Sequence, residues 1–200
     1  MGSLAVVEFI TLDGVMQGFG SPDEDREGGF EHGGWGVAYA DEGQFEAAVE
    51  SLPSTSAYLF GRRTYEKMSQ FWPHQPDDNP MAAHLNASPK YVATRTLTEV
   101  PWHNSRVLEG PLGTRIAELK AAHDGSIVVL GSGALVEQLS ALDLVDEYTL
   151  YLHPLLLGTG KRLFRSLERP HRLRLVEASP TSTGVVTLQY ARDRSSTWPK

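Results

Sequence analysis

The stretch Val128-Val129-Leu130-Gly131-Ser132-Gly133-Ala134-Leu135 decides the fold of this chain. A β-rich run ends in two glycines one residue apart, and an amphipathic segment with helical spacing follows directly. Such a strand-to-helix turn lets the backbone approach a ligand closely and points the first amides of the helix at an anion. Glycines also serve ordinary turn geometry, so this junction alone leaves both interpretations open.

The rest of the chain alternates between strand and helix patterns. Strand patterns cover residues 4–11, 58–60, 90–93, 127–130 and 148–157. Helical patterns cover residues 41–52 and 62–69, and apolar stripes at helical spacing lie at Leu112, Ile116, Leu119 and at Leu135, Leu139, Leu142. Residues 172–176 and 185–191 form an antiparallel pair. This order predicts an α/β domain with a mixed, mostly parallel sheet and an antiparallel C-terminal hairpin.

The domain organisation is simple. No internal repeat, low-complexity tract or linker interrupts the sequence, so we predict one domain over residues 1–192 and a flexible tail over 193–200. Residues 21–36 are rich in Gly, Asp and Glu, which indicates a long mobile loop, and residues 72–80 form a second loop. Trp35 and Trp72 lie in or beside these loops, where they either close over a planar substrate or anchor the loops by burial.

The composition excludes several classes of function. The chain has 200 residues, of which 40% are hydrophobic and 22% charged, as in an ordinary globular protein. A net charge of −7 disfavours a broad nucleic-acid or anionic-membrane surface. With no cysteine and no histidine pair at ligand spacing, we predict no disulfide and no metal site. No apolar run is long enough for a membrane span and no signal-peptide pattern begins the chain, so we expect a cytoplasmic protein.

Two further strand ends carry groups that suit an anion. Gly61-Arg62-Arg63-Thr64 places two guanidinium groups at a helix N-terminus, where the helix dipole favours negative charge. A bound phosphate would explain this mismatch, because arginine gives phosphate charge-assisted hydrogen bonds. Alternatively, the arginines pair with Glu66 or other nearby acids. Thr94-Arg95 follows a third strand, and ligands of α/β sheets gather beyond the carboxyl ends of the strands.

Five motifs follow one another along the chain. They are Thr11-Leu12-Asp13-Gly14, Gly61-Arg62-Arg63-Thr64-Tyr65-Glu66, Ala93-Thr94-Arg95-Thr96-Leu97, Gly131-Ser132-Gly133 and Pro154-Leu155-Leu156-Leu157-Gly158-Thr159-Gly160. In this order they resemble the dihydrofolate-reductase-like superfamily, and within it the branch that contains the C-terminal reductase domain of riboflavin biosynthesis. The resemblance runs from about Val6 to Tyr190.

The resemblance implies a three-layer α/β domain that binds NADPH. The backbone around Phe9 and Met16 would flank the nicotinamide. The other cofactor-binding positions that it implies are Gly61, Arg62, Arg63 and Thr64 on the phosphate side, Thr94 and Arg95 at the 2′-phosphate and adenine ribose, and Gly131, Ser132, Gly133 and Ala134 at the pyrophosphate. Arginine at the 2′-phosphate favours NADPH over NADH.

The substrate side of the site is less defined. Glu8 is a catalytic candidate, because a carboxylate in the middle of a strand is unfavourable unless it is paired, faces a cavity or lies at an exposed edge. Asp13 is either a second catalytic contact or the hydrogen-bonding residue of an Asp-Gly turn. Phe45 stands where dihydrofolate reductases carry a pterin-binding acid, which argues against dihydrofolate as substrate. Tyr151 matches a position that lines the substrate pocket in the family, or is a packed sheet tyrosine.

These observations predict a reductase that passes a hydride from NADPH to a small heterocyclic or carbonyl substrate. The alternative is an NADP(H)-binding protein of the same fold without turnover. A general dinucleotide-binding oxidoreductase is disfavoured, because no glycine-rich turn follows the first strand. Relatives of this type are commonly homodimers, and Leu155-Leu156-Leu157 either supplies a dimer interface or forms core.

Overall fold

The computed structural model describes residues 1–76, 78–165 and 167–193. The strands are β1 (Ser3–Thr11), β2 (Thr55–Gly61), β3 (Lys90–Ala93), β4 (Ser105–Val107), β5 (Ser126–Leu130), β6 (Glu147–His153), β7 (Leu173–Pro180) and β8 (Val186–Arg192). The α-helices are α1 (Glu42–Ser51), α2 (Arg62–Phe71), α3 (Pro80–Ala87), α4 (Leu112–Ala122) and α5 (Gly133–Ala141). The predicted tail beyond Asp193 lies outside the described residues.

All eight strands form one sheet, in the order β4-β3-β2-β5-β1-β6-β8-β7. The pairings from β4 to β6 are parallel, and β6-β8 and β8-β7 are antiparallel. Apolar runs such as 127–130 therefore form central strands that are covered on both faces. The mixed sheet with an antiparallel C-terminal hairpin confirms the predicted fold class.

Helices cover both faces of the sheet and give three layers. On one face, α4 and α5 bury Ile116, Leu135 and Leu139 against a core that includes Val6 and Ile10 of β1. On the other face, buried side chains of α2, α3, the neighbouring strands and the segment between β3 and β4 form a second core: Tyr58, Phe60, Tyr65, Leu85, Val92 and Trp102. Because side chains alternate along a strand, β1 contributes to both cores.

Three elements differ from the sequence prediction. The prediction missed the strand β4, and it missed the helix α3, whose start is marked by Asn79 accepting from the amides of Met81 and Ala82 just before Pro80. The strand β6 ends at His153 rather than continuing to Leu157. In the segment that follows, Leu155 and Leu157 pack against a small core, whereas the side chain of Leu156 is 68% exposed.

A buried lysine joins α3 to the sheet. Lys90, the first residue of β3, is fully buried. Its Nζ donates to the carbonyl oxygens of Leu85 at 2.7 Å, Asn86 at 3.3 Å and Ser88 at 2.8 Å. The ammonium also lies 4.6 Å from the centre of the Trp102 ring. Lys90 therefore satisfies the last carbonyls of α3, which a helix cannot pair internally.

Candidate cofactor and active site

The three strand ends that the sequence singled out lie side by side. β3, β2 and β5 are consecutive in the sheet and run parallel, so Thr94, Gly61 and Gly131 leave it at the same edge. Two hydrogen bonds join the last two of these ends. The Gly61 amide donates to Ser132 Oγ at 3.1 Å, and Thr64 Oγ1 donates to the Gly131 carbonyl at 2.8 Å. The starts of α2 and α5 thus form one surface.

Glycine stands at positions 131 and 133 of this surface for two different structural reasons. Gly131 has a φ of +66°, a left-handed conformation that favours glycine. At Gly133, a Cβ atom would lie 2.1 Å from the sulfur of Met16, so any larger residue there requires the methionine side chain to move. Neither Gly61 nor Ser132 caps its helix through a side-chain hydrogen bond in the described structure. Both helix starts therefore keep unpaired amides that suit an anion.

Glu8 lies directly beneath the start of α5. It is 1% exposed and faces the α4–α5 side of the sheet, between Val6 and Ile10. The Ser132 backbone amide donates to its carboxyl group, whereas Oε1 has no hydrogen-bond partner among the described residues. Burial raises the pKa of Glu8 from 4.5 to about 8, although the Ser132 hydrogen bond opposes the shift. Glu8 is therefore not an edge residue; at neutral pH it carries a proton.

The two arginines at the start of α2 are paired with acids. Arg62 forms hydrogen bonds of 3.0 Å and 2.9 Å with Glu66, one turn along the helix. Arg63 contacts both oxygens of Glu27, with 3.0 Å between its Nη2 and Oε1. Lys161 Nζ also contacts Glu27, at 2.5 Å, and Asp25, at 2.7 Å. In the structure, therefore, both arginines pair with nearby acids, which was one of the two possibilities left open by the sequence. The Glu27 carboxylate occupies Arg63.

These contacts hold the loop of residues 21–36 against α2 and the segment around Lys161. Lys67 of α2 contacts the Glu24 carbonyl, and the Gln17 side chain donates to the Glu27 carbonyl at 3.0 Å. Trp35 is buried, and its Nε1 donates to the Gln17 carbonyl at 2.7 Å, so this tryptophan anchors the loop. Arg63 and Lys161 lower the pKa of Glu27 to about 2, which keeps its carboxylate charged at neutral pH.

The remaining predicted phosphate ligands, Thr94 and Arg95, follow β3. Thr94 Oγ1 accepts from the amides of Thr96 at 3.2 Å and Leu97 at 3.1 Å, which is a local turn. The side chain of Arg95 is exposed beside it. This junction is therefore an ordered turn that presents a guanidinium to solvent.

A cluster of aromatic rings occupies the opposite face of β1 and β6. The rings of Phe9 and Tyr151 stack with their centres 4.7 Å apart, and Phe19 stacks on the other side of Phe9 at 4.2 Å. His153 is buried beside them, with Nδ1 2.9 Å from the Tyr151 carbonyl and its ring centre 5.0 Å from that of Trp35. Burial raises the pKa of Tyr151 and lowers that of His153, so both are neutral at pH 7.

Two residues predicted on the substrate side, Asp13 and Phe45, are not part of this aromatic cluster. Asp13 accepts from the amides of Leu157 at 3.2 Å and Gly158 at 2.9 Å, and from Thr11 Oγ1 at 2.6 Å. These bonds lower its pKa to about 2, so Asp13 is an ionised anchor of the 154–160 segment. Phe45 is 49% exposed. It lies on α1, in which no residue between Glu42 and Ser51 is buried. Its ring is not among the stacked partners of Tyr151 in the described structure.

The geometry divides the predicted site residues into two groups. Glu8, Met16 and the Gly131–Ala134 turn lie on the α5 side, whereas Phe9 and Tyr151 share the aromatic face. Sequence reasoning missed the pairing of Glu27 with Arg63 and the ring of Phe19, because neither has a local signal.

Among the described residues there is no group of three or more acidic or histidine side chains that could hold a metal ion. No described helix is long and apolar enough to span a membrane.

Comparison with known proteins agrees with this architecture. A putative riboflavin biosynthesis protein from Shewanella superposes with a TM-score of 0.70, at 23% identity over 96% of this chain and 99% of that one. A dihydrofolate reductase from Enterococcus faecalis, solved with NADP(H), superposes with a TM-score of 0.60, at 14% identity over 96% of each chain. The fold is thus of the dihydrofolate-reductase-like class.

A sequence match assigns the chain to one family within this fold class. The RibD C-terminal domain family matches residues 3–187, so the chain belongs to this family. An uncharacterized protein of Bacillus subtilis, YyaP, is 27% identical over 188 residues, which cover 90% of each chain. These findings confirm the resemblance drawn from the five sequence motifs.

Proposed function

We propose that this protein is an NADPH-dependent reductase that acts on a small pyrimidine- or pterin-like heterocycle or a carbonyl compound. One observation carries the proposal: the uncapped starts of α2 and α5 are joined at adjacent strand ends by Ser132 and Thr64. Such a double helix start suits the two phosphates of a dinucleotide. Family membership supports the same conclusion, since its structural neighbours include reductases and an NADP(H) complex.

The residues present fit this cofactor. The amides of Gly131, Gly133 and Ala134 would hold the pyrophosphate, with Thr64 and the two arginines of α2 on the phosphate side, while the Ser132 amide is engaged by Glu8. Thr94 and Arg95 would hold the 2′-phosphate, and Phe9 and Met16 would flank the nicotinamide. When bound, the nicotinamide supplies the hydride, so the protein has to orient the rings, exclude water and provide a proton.

The aromatic face supplies the substrate side of the proposal. Tyr151 stacks on Phe9, whose other face is covered by Phe19, so a planar heterocycle would lie against Tyr151 at the side of this stack. The raised pKa keeps the Tyr151 hydroxyl protonated at neutral pH, so it can donate a hydrogen bond to a substrate nitrogen or carbonyl oxygen. Asp13 is ionised and tied to backbone amides, which makes it unsuitable as a proton donor.

A second candidate is an NADP(H)-binding protein without turnover. The favouring observation is that Glu8 faces α5 and Asp13 anchors a loop, so neither predicted catalytic acid is aimed at the aromatic face. Turnover measurements distinguish the two candidates.

The experiment begins with calorimetric titration of the protein with NADPH and with NADH. The proposal predicts tighter binding of NADPH, because Arg95 can pair with the 2′-phosphate. Turnover is then tested with sets of pyrimidinones, pterins and carbonyl compounds as candidate substrates. Oxidation of NADPH is followed for several hours by its absorbance at about 340 nm. Tyr151→Phe should lower turnover while cofactor affinity is retained, and Glu46→Gln on the exposed side of α1 serves as control. Absence of binding by either cofactor would contradict both candidates.

A further inference from the structure

Glu8 is the buried ionisable group that the proposed cofactor and substrate contacts leave without a role. It lies on the central strand β1, 1% exposed, with one carboxyl oxygen unpartnered among the described residues. A buried polar atom without a partner is unfavourable, so such atoms call for an explanation. The other contact of this carboxyl group is the Ser132 amide, at the turn that opens α5.

The position of Glu8 connects it to the anion-binding surface. Ser132 accepts from the Gly61 amide, and the neighbouring Gly131 accepts from Thr64, so both helix starts meet at this one turn. The Ser132 amide points down to Glu8, while the following amides of α5 are left for an anion. A carboxylate here and a phosphate above it would be two like charges at the same helix end in a poorly solvated place.

The charged groups around this face do not compensate the charge of Glu8. The core on this side contains apolar side chains such as Val6, Ile10 and Leu139, and its buried polar groups include Ser140 and Tyr148, whose hydroxyl oxygens lie 2.7 Å apart. At the rim of these elements, Lys120 pairs with Asp146, Arg165 with Glu137, and Arg162 with Asp13, and Glu147 of β6 is exposed to solvent. Burial raises the pKa of Glu8, and the Ser132 amide opposes this shift.

We propose that Glu8 is a proton-linked positioning residue: it fixes the Ser132 turn as a neutral carboxyl, and its ionisation opposes binding of the cofactor's pyrophosphate. The inference rests on the proposed function, because it takes the start of α5 to be the pyrophosphate site. It assigns Glu8 to cofactor binding rather than to proton donation at the substrate. Cofactor binding then takes up a proton, since the bound state keeps Glu8 neutral to higher pH.

The pKa of Glu8 sets the expected change in NADPH affinity with pH. With a pKa of about 8 in the free protein, NADPH binding should weaken about tenfold between pH 7 and pH 9. The cofactor's own phosphates do not contribute, because their second ionisation, near a pKa of about 6, is complete in this range. At pH 8 about half of the Glu8 population is ionised, so binding should take up about half a proton.

The test measures NADPH binding by isothermal titration calorimetry between pH 7 and pH 9. At pH 8, two buffers with different ionisation enthalpies report proton uptake by the wild-type protein, which requires no variant to fold. Glu8→Gln keeps a neutral acceptor for the Ser132 amide, so its NADPH affinity should not change with pH. Glu46→Gln, which removes an exposed carboxylate of α1, should behave as wild type.

The outcomes separate this inference from the proposed function. A tenfold weakening in wild type that Glu8→Gln abolishes supports the linkage. Equal pH dependence in both proteins, or no proton uptake by wild type, overturns the role of Glu8 and leaves cofactor binding standing. Failure of NADPH to bind wild type at any pH in the range overturns the proposed function, and this inference with it.

Discussion

Glu8→Gln should change how the stability of the free protein depends on pH. Folding moves this carboxyl from a pKa of 4.5 to about 8, so the folded state binds more protons between these values. Stability is therefore highest at the acid end of the range and falls as the pH rises towards 8. Glutamine cannot ionise, so the variant lacks this loss.

The magnitude follows from the two pKa values. A difference of roughly 3.5 units at about 1.36 kcal/mol each gives about 5 kcal/mol over the whole range. Roughly 3 to 4 kcal/mol of this should appear between pH 5 and pH 8, because the unfolded group is partly ionised at pH 5. For a chain of this length, that corresponds to a relative change in melting temperature on the order of 10 °C.

The assay is urea unfolding at intervals between pH 5 and pH 8, followed by tryptophan fluorescence, for wild type, Glu8→Gln and Glu46→Gln. Subtracting the variant curve removes contributions that the proteins share, including those of His84 and His153. Wild type should lose stability relative to Glu8→Gln as the pH rises, and Glu46→Gln should track wild type. Parallel curves for wild type and Glu8→Gln would refute the assignment of a buried neutral carboxyl.

Three further predictions concern other residues. Glu27→Gln should tighten NADPH binding about twofold to fivefold by calorimetry, because it frees Arg63 from an exposed ion pair; unchanged or weaker affinity would count against competition at this arginine. Gly133→Ala should lower the free energy of unfolding in urea by about 1–3 kcal/mol, since its Cβ would overlap the sulfur of Met16; a neutral effect would show that the methionine can move away. Lys90→Met should destabilise the protein by about 2–4 kcal/mol in the same measurement, because three buried carbonyls lose their donor, and stability equal to wild type would refute this capping role.

The fold was predictable where the pattern was strong. Long apolar runs such as 4–11 and 127–130 marked the central strands, because parallel strands are covered on both faces. β4 has only three residues and α3 only eight, so neither offers enough periodicity to stand out from a loop. The Asn79-Pro80 pair was the available signal for α3, as a capping side chain followed by proline.

The site was predictable in its parts but not in its arrangement. Alternation along β1 correctly placed Glu8 on the side of Val6 and Ile10, but its burial depends on the strand order, which brings β5 and β6 to either side. The pairing of Arg63 with Glu27 joins residues 36 positions apart through a loop without periodic pattern. Contacts of this kind arise from tertiary packing and leave no local trace in the sequence.

The acidic segment around Glu27 acts as a built-in counterion for the start of α2. Its carboxylate lies on Arg63 and Lys161, so a dinucleotide arriving there exchanges one anion for another rather than meeting bare cations. Added salt screens the attraction of the dinucleotide, but it also loosens the internal pair that competes with it. The two effects oppose each other, so under the proposed function NADPH affinity should vary with ionic strength less steeply than the number of basic groups at the site suggests.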